Sequence, residues 1–327
     1  MIRIEAIIDD NQYIISAFCG NITKSDNIDS LGVQLSFDYL NNKVIDKNTV
    51  WIDLSLGNTI LMYDDDELLF QGTIQKASRN GLSSYQYDVF DSAWYLNKQE
   101  ARIQFSGVDV KTAIETLCKQ ENIPCEVACD IPTKVTKIYN GDTISKIIDD
   151  LLKQATAETG KRYRREYNNS KLYINAFDNL KMIWDSEPLV SNFSQEFNCD
   201  GMANKVVILS GNEKNTTVVA TKQDDESIKK YGLYTKYIKI DDKKKAQANN
   251  IADKKLKELS HPTKEIKCTL LGDNYVRSGR ILQFNQPNIN MMGEYLVTDC
   301  THTYNQMSHT MEVALKLNDE INENTSQ

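Results

Sequence analysis

The sequence of 327 residues has no long hydrophobic run, few histidines and no excess of positive charge. No apolar run approaches the roughly 20 residues needed to cross a bilayer. The segment Met1-Ile2-Arg3-Ile4-Glu5 also lacks the basic and apolar regions of a signal peptide. Membrane insertion and general secretion are therefore disfavoured. With 38 Lys and Arg against 46 Asp and Glu, the net charge is −8, so no basic surface for nucleic acid is expected.

Cysteines and histidines are too scattered to predict a metal site or a catalytic pair. The closest cysteines, Cys118, Cys125 and Cys129, form no Cys-x-x-Cys pair and have no nearby fourth ligand for zinc. The histidines lack the i, i+4 spacing of a zinc protease, so structural or surface roles are expected. Reduced thiols are the expectation for the cysteines. The seven cysteines are at positions 19, 118, 125, 129, 199, 268 and 300, and the three histidines at 261, 302 and 309.

Motifs of hydrolases and nucleotide-binding proteins are missing as well. The sequence has no G-x-S-x-G, no G-x-x-x-x-G-K-[ST] and no G-x-G-x-x-G. The spacing of Ser227 and Lys230 matches a serine–lysine pair, but it falls in a charged stretch. The acidic run from Asp64 to Glu67 is interpreted as a solvated turn. We therefore predict no catalytic, cofactor-binding or metal-ligating residue and no hydrolytic activity.

From Met1 to about Arg102, apolar and polar residues alternate in short runs, which is typical of strands with one buried face. Turn-forming residues such as Asn41-Asn42 and Arg79-Asn80-Gly81 separate the runs. This pattern favours an antiparallel barrel or sandwich, which we assign to residues 1–103. The predicted strands are Val33 to Phe37, Val50 to Leu54, Leu68 to Ile74 and Tyr85 to Phe90.

The period changes to that of a helix after residue 103. Ser106 followed by Asp109 resembles a capping box and predicts a helix that ends before Pro124. A second helix carries apolar residues at helical spacing from Ile144 to Ala155 and ends near Gly160. Residues 104–181 are thus predicted to form a small α+β domain. Its two strands are predicted at Arg162 to Tyr167 and Lys171 to Phe177, joined by Asn168-Asn169-Ser170.

Strands resume in the last part of the chain, interrupted by one charged segment and one helix. The charged segment runs from Lys222 to Ser227, and Pro262 ends a helix that bears Ala248, Ala252 and Leu259. Residues 319–327 are predicted to be a polar tail. The predicted strands are Lys205 to Leu209, Thr216 to Ala220, Glu265 to Leu271, Gly279 to Phe284, Gly293 to Thr298 and Met311 to Leu317.

Two hairpins of the sequence share a pattern, one beginning at Gly72 and the other at Gly293. Each has a strand that begins with glycine, then a turn, then a second alternating strand. This similarity fits either a common β-hairpin or an internal duplication. If the chain is duplicated, an inward-facing set and an outward-facing set are expected. The inward set is Val89, Val313, Leu315 and Leu317, and the outward set is Glu312 and Lys316.

Read together, several segments resemble the tail-hub family of contractile phage tails and phage-tail-like bacteriocins, the late-control protein D-like group. The order and spacing of these segments carry the resemblance, which spans most of the chain. The segments are Glu67 to Ile74, Tyr87 to Asp91 leading to Leu96, Gly141-Asp142-Thr143 with Ile147-Ile148, Asp225 to Gly232, Gly272-Asp273 with Gly279, and Gly293 to Val297 followed by His302.

The resemblance implies a non-enzymatic homotrimer, made in the bacterial cytoplasm and assembled into a baseplate. Its implied partners are a trimeric tail spike, a hexameric tail tube or tube initiator, the tape-measure protein and baseplate wedges. The implied fold is mainly β, with two tube-like antiparallel barrels and two small α/β or helical domains. The second barrel would comprise 182–221 and 263–318, interrupted by an inserted domain at 222–262.

A trimer with two barrels per chain would present six barrels to the tube and three-fold symmetry to the spike. The segments 104–181 and 222–262 would lie outside that ring, because their helices would break barrel closure. Interleaved charges leave no long apolar seam in the sequence. The isolated chain is therefore expected to be monomeric or weakly trimeric, with the trimer secured by the spike.

An alternative interpretation is a peptidoglycan-binding module. Ile138 to Thr143 followed by Ile147-Ile148 is similar to the opening of a LysM repeat. The segment from Arg162 to Phe177 lacks the closing Gly-x-x-Leu-x-Ile-Pro element, so only half of that pattern is present. Binding to purified cell wall distinguishes the two interpretations.

Overall fold

The computed structural model describes residues 2–168, 171–182, 190–212, 215–305 and 308–317. The turn predicted at Asn169-Ser170 and the polar tail predicted at 319–327 lie outside these residues. The fold is mainly β, as the sequence predicts, and its strands form several sheets in which most pairings are antiparallel. In the described ranges, no helix has the length and apolar character needed to cross a membrane.

The strands are β1 Ile2–Ile8, β2 Asn11–Ile14, β3 Cys19–Asn27, β4 Val33–Leu40, β5 Thr59–Asp64, β6 Glu67–Asn80, β7 Ser84–Phe90, β8 Glu100–Asp109, β9 Cys125–Val127, β10 Lys134–Thr143, β11 Tyr163–Asn168, β12 Lys171–Ala176, β13 Lys181–Met182, β14 Ser191–Asn198, β15 Lys205–Asn212, β16 Asn215–Gln223, β17 Thr235–Ile240, β18 Thr263–Leu271, β19 Ile281–Gln286, β20 Met291–Asn305 and β21 Ser308–Leu317. The helices are α1 Ala93–Leu96, α2 Val110–Gln120, α3 Ile144–Thr159, α4 Asp225–Tyr231 and α5 Ala248–Leu259. Short 3-10 turns lie at Ser16–Phe18, Phe177–Leu180, Asp242–Gln247 and Pro287–Ile289.

The chain divides into two compact units. The first unit comprises Met1–Phe193 with Lys267–Asn318, and the second contains Ser194–Ile266. Along the largest sheet, hydrogen-bonded neighbours follow the order β14, β18, β21, β20, β3, β4, β7, β6, β5, β1, β2. Strand β19 joins this sheet by pairing with β20, and β13 pairs with β19. Strand β3 therefore lies between β4, its neighbour in sequence, and β20 near the end of the chain.

Alternation along the strands places one side of the sheet in the hydrophobic core. Leu35, Phe37 and Tyr39 of β4 are buried, while the residues between them are half-buried. Burial of such side chains stabilises the fold by about 1.5–3 kcal/mol each relative to exposure.

The alternation predicted for β7 and β21 is also observed. Val89, Val313 and Leu315 are buried, and Glu312 and Lys316 are exposed, as predicted. Leu317 was predicted to be buried but is half-buried. It is the last residue of β21, where the sheet covers its side chain less completely.

The strand predicted at Val50 to Leu54 is wrong. This segment is irregular, and its backbone is held by side chains from neighbouring elements. The Tyr39 hydroxyl donates to the Ile52 carbonyl at 2.8 Å, and the Tyr87 hydroxyl donates to the Leu54 carbonyl at 3.2 Å. The alternation arises because Ile52 packs against the core while Val50 is 79% exposed. Alternation alone therefore does not distinguish a paired strand from an irregular segment that lies against a core.

The first unit also contains the α/β part of the chain, in which α2 and α3 share one core with β8, β9, β10 and β12. Helix α3 occupies the predicted position and ends at Gly160, whose φ of 72° lies in the left-handed region favoured by glycine. Helix α2 begins later than predicted. Its cap is Asp109, whose side chain accepts a hydrogen bond from the Thr112 amide, and Ser106 lies in β8. The capping-box pattern therefore predicts the start of this helix about one turn too early.

The second unit contains a three-stranded sheet in the order β16, β15, β17, with α5 packed on it. Its core is small and consists of Val206, Ile208, Ala220, Ala248 and Ala252. The sequence predicts β15 and β16 in the second barrel, whereas in this separate sheet β15 pairs with β16 on one side and with β17 on the other. Strands β15 and β17 are parallel, so the chain must cross back between them. Helix α4 lies in that connection, after β16 and before β17. The division into two barrels and two small domains stays a prediction.

Candidate assembly interface

Two groups of five strands in the large sheet have the same order of neighbours. In the first group, β5 precedes β6, β6 forms a hairpin with β7, and β7 lies beside β4 and then β3. In the second group, β19 precedes β20, β20 forms a hairpin with β21, and β21 lies beside β18 and then β14. We call these groups the first and second repeat.

The two hairpins also share an irregularity. Pairing of β6 with β7 shifts register between Ile74 and Lys76, and pairing of β20 with β21 shifts between Val297 and Asp299. A β-bulge is a defined feature that bends a strand at a fixed place, so its recurrence is stronger evidence of equivalence than alternation is. The bulges align Val297 with Ile74 in the two repeats.

This alignment corrects the basis of the sequence comparison, because the two glycines are not equivalent. Counting back from the bulge, Gly293 corresponds to Phe70, and Gly72 corresponds to Tyr295. Gly293 has a φ of 110° and open space beside it, whereas Gly72 lies against the backbone of Phe90. Each glycine is thus required for its own local reason.

The repeats meet where β3 pairs with the second half of β20. The register joins Ile22 to Tyr304 and Asn27 to Asp299, in antiparallel orientation. Beside this junction, the Asp26 carboxylate accepts hydrogen bonds from the Ser278 amide at 3.1 Å and the Ser278 hydroxyl at 2.8 Å. It also pairs with the Arg277 guanidinium, with Nε 3.3 Å from Oδ2. A strand and a loop more than 250 residues apart are thus joined by one buried carboxylate.

The α/β part of the first unit contributes to the same buried network. Glu166 accepts two hydrogen bonds from Arg280, at 2.8 and 3.1 Å, and Arg164 donates to the Ser278 hydroxyl at 2.7 Å. Burial alone would raise the pKa of the Asp26 and Glu166 carboxyl groups, but Arg277 and the hydrogen bonds lower both. Both carboxylates therefore stay charged at neutral pH, and the network fixes the junction to the α/β part.

Two histidines form a hydrogen-bonded chain next to this network. The Nε2 atom of His302 lies 2.8 Å from the Val276 carbonyl, so it carries the proton and donates. Its Nδ1 atom then accepts from Nε2 of His309 at 3.0 Å. The His309 ring stacks on Tyr304, with ring centroids 4.3 Å apart, and lies against Gly272. This arrangement needs a neutral His302 imidazole, because its Nδ1 atom accepts a hydrogen bond while its Nε2 atom donates one.

We expect His302 to make the protein sensitive to acid. Burial, with the nearby charge of Lys24, lowers the pKa of His302 to about 4. The unfolded chain therefore binds this proton from about pH 6.5 downwards while the folded chain does not, so this contribution to the free energy of unfolding falls between about pH 6.5 and 4. The full effect is about 3 kcal/mol, at 1.36 kcal/mol per pKa unit.

Comparison with a His302→Gln variant isolates this effect. The comparison is needed because burial raises the pKa of Asp91 to about 7, and protonation of Asp91 in acid favours the folded state in both chains. The free energy of unfolding of both chains is measured with urea at pH 7, 5.5 and 4. The difference in favour of the wild type should shrink as the pH falls. An advantage that is constant over this range contradicts the assignment.

The structure places Cys118 beside Cys125 and gives Ser227 and Lys230 different partners. Of the described residues, no group of three or more His, Cys, Asp or Glu is placed to hold a metal ion. Cys118 is buried and Cys125 and Cys129 are half-buried, all as free thiols. The Ser227 hydroxyl donates to the Ser260 carbonyl at 2.6 Å, whereas Lys230 lies over the Tyr231 ring. This pair therefore does not have the geometry of a nucleophile and its base.

A group of exposed aliphatic side chains follows β4, and the sequence did not single it out. Val44, Ile45, Val50 and Leu56 are each more than 60% exposed in the loop between β4 and β5. Asn41 at its start is anchored to the turn between β6 and β7, through a hydrogen bond from its amide to the Ser83 carbonyl. Clustered exposed apolar residues are typical of contact surfaces in assemblies.

Comparisons with known proteins identify the family of this chain. The chain belongs to the YQBQ-like family, whose model matches residues 22–316. It is 26% identical over 270 residues to the phage-like element PBSX protein XkdQ of Bacillus subtilis (strain 168), an alignment that covers 80% of this chain and 82% of XkdQ.

Solved structures of tail proteins have the same fold. The 43 kDa tail protein of prophage MuSo2 from Shewanella oneidensis matches with a TM-score of 0.71 and 13% identity, over 98% of this chain and 99% of that one. A tail protein from Neisseria meningitidis MC58 matches with a TM-score of 0.66 and 12% identity, over 99% of both chains.

A structure from a secretion system has a similar fold at lower similarity. The E. coli c3393 protein is described as a component of the type VI secretion system with structural similarity to the T4 bacteriophage tail proteins gp27 and gp5. It matches with a TM-score of 0.53 and 9% identity, over 91% of this chain and 73% of that one. Together, these findings support a structural role in a phage tail.

Proposed function

We propose that this protein is the structural baseplate hub of a contractile phage tail or phage-tail-like particle. In this role, three copies adapt a three-fold spike to a six-fold tail tube. The observation that carries the proposal is the repeat, because a chain with two equivalent strand groups offers two similar surfaces to a tube. Three such chains then offer six, as matching of closed cyclic symmetries requires.

The comparisons support the proposal at the level of the fold. The c3393 protein is described as similar to the T4 bacteriophage tail proteins gp27 and gp5, and its fold is shared over most of this chain. XkdQ belongs to a phage-like element. The hub is proposed to act without catalysis, since Arg277, Arg280 and Ser278 hold the buried carboxylates of the junction and the two histidines are hydrogen-bonded to each other. The spike, the tube or its initiator, the tape-measure protein and the wedges are the proposed neighbours.

Counting copies per particle tests this proposal. Quantitative mass spectrometry of purified tail particles should find three copies of this chain for every six subunits of one tube ring. Electron microscopy with a tag on the chain should place it at the baseplate end of the tube. Six copies per ring, or a tag distributed along the tube, would rule out the hub.

Light scattering of the isolated chain provides a second measurement. A monomer or a weak trimer is expected, whereas a stable dimer contradicts the proposed symmetry. The same preparation can be incubated with purified peptidoglycan. The hub is expected neither to sediment with the cell wall nor to lyse it. Binding that depends on the surface around Ile138 would favour the LysM-like alternative.

A further inference from the structure

The two repeats differ in the pairing of their long hairpin strands, β6 and β20. The second half of β20 has a strand partner on both sides, whereas the second half of β6 has one on a single side among the described residues. In the second repeat, Met291–Leu296 of β20 pairs with β19, and Asp299–Tyr304 pairs with β3. In the first repeat, Glu67–Thr73 of β6 pairs with β5. Within the described residues, Lys76–Asn80 of β6 pairs with β7 on one side and with no strand on the other. We call this segment the open edge of β6.

A second open edge is found on β14. The strand precedes β18 in the second repeat, as β3 precedes β4 in the first, and it lies next to β18 at the end of the strand order. Strand β14 therefore has the place that β3 has in the first repeat. As far as the described residues extend, its other side has no strand partner.

The internal junction indicates which strand fits the open edge of β6. Strand β3 of the first repeat fills the second half of β20 in the second repeat. By equivalence, β14 of the second repeat fits the second half of β6 in a first repeat. We infer that the open edge of β6 binds β14 of a second copy of this chain, in the antiparallel orientation of β3 and β20. The inference rests on the proposed trimer and names the surfaces that close it.

The side chains at the two edges suit this pairing. Lys76 and Arg79 are exposed on the open edge of β6, and Glu196 is exposed on β14. Phe197 of β14 is 67% exposed, an apolar side chain that strand pairing would partly cover. Opposite charges across paired strands are favourable, and exposed basic residues at an edge discourage pairing with unrelated strands.

Pairing of this kind is head-to-tail, because β6 and β14 are different surfaces of one chain. A head-to-tail contact forms a closed ring if its rotation closes and an open filament if it does not. Each chain contributes one internal junction and one junction to its neighbour. If the two junctions have the same geometry, three chains close a ring of six repeats.

Disulfide trapping tests the pairing. Ser78→Cys on the open edge is combined in turn with Ser194→Cys, Gln195→Cys and Glu196→Cys on β14, so that one combination places both thiols on the same face of the paired strands. The variants are incorporated into tail particles, oxidised mildly and separated without reductant. The matched control combines the same β14 substitutions with Gln12→Cys on β2, the strand at the other end of the order. The unsubstituted chain gives the baseline for the seven native thiols.

The expected result is cross-linked dimers and trimers with Ser78→Cys, at least tenfold above the control, and no species larger than three chains. Equal cross-linking in the control, species beyond a trimer, or no cross-link at any of the three positions overturns the pairing. If cross-links are absent while particles still contain three copies of the chain, the hub proposal stands and the assignment of edges is wrong.

Proline variants keep the inference testable if the cysteine variants are not incorporated. Consecutive amides of a strand point to opposite edges, so one of Ser194→Pro and Gln195→Pro removes only an outward N–H group. That variant should retain the unfolding midpoint of the unsubstituted chain and lose incorporation into particles. Normal incorporation of both variants overturns the pairing.

Discussion

Replacing Asp26 by asparagine is expected to lower the free energy of unfolding by about 3–5 kcal/mol, the range observed when one partner of a buried ion pair is removed. The carboxylate is the acceptor for both the amide and the hydroxyl of Ser278 and is the partner of Arg277. Asparagine keeps the shape but not the charge, so the Arg277 guanidinium would lose a buried counter-charge. Its second partner, Glu166, lies farther away at 3.9 Å and is engaged with Arg280.

The same substitution at Asp53 is the matched control. Asp53 pairs with Lys43 at 2.6 Å, but more than half of each side chain is exposed. Exposed ion pairs contribute little, because water and salt screen them. Urea unfolding at pH 7 should therefore separate the two variants clearly. A similar loss in both would mean that the Asp26 network does not stabilise the junction.

Replacing Gly72 by alanine is expected to cost about 1–3 kcal/mol through overpacking, and replacement by valine more. A Cβ atom at this position would lie 2.5 Å from the Phe90 carbonyl oxygen and 2.7 Å from the Phe70 ring. The carbonyl oxygen belongs to the backbone of β7, so it cannot turn away from the new Cβ atom as a side chain could. Strand β6 would have to shift relative to β7 over the segment that precedes the bulge.

Gly20→Ala is the control for this prediction. No heavy atom lies within 4 Å of a Cβ built on Gly20, so alanine has room there. The loss of backbone freedom in the unfolded chain should make Gly20→Ala neutral or stabilising by about 0.4–1 kcal/mol. Thermal unfolding of the two variants under one buffer condition is the measurement. Equal midpoints for both would contradict the close approach of β6 and β7.

Much of the fold could be predicted from the sequence, since alternation and helical period are local signals. They located β4, β6, β7, β18 and β21, and they placed α3 and α5. Strand β3 was missed for a physical reason. Its sequence from Cys19 to Asn27 is largely polar and carries no run of alternating apolar residues. It forms a strand because β4 and β20 pair with it on both sides, which is a tertiary effect.

The buried network could not be predicted, because its members are far apart in the chain. Asp26, Glu166 and Arg277 come from three regions, and each alone resembles a surface residue. The sequence gives only a weak indication of the contact between His302 and His309. Alternation puts His302 and Tyr304 on one face of β20, and a hairpin register that pairs Tyr304 with His309 brings the imidazoles together. That register depends on where the turn falls, which the sequence left open.

The pairing of β3 with β20 has a consequence for synthesis of the chain. Thr23 pairs with Thr303, so this edge of β3 stays unpaired until almost the whole chain has been synthesised. Contacts of such long sequence separation form slowly, and unpaired edges expose a nascent chain to aggregation. Truncation before β20 should therefore yield aggregates, whereas supplying the β20 and β21 hairpin as a separate peptide should rescue solubility.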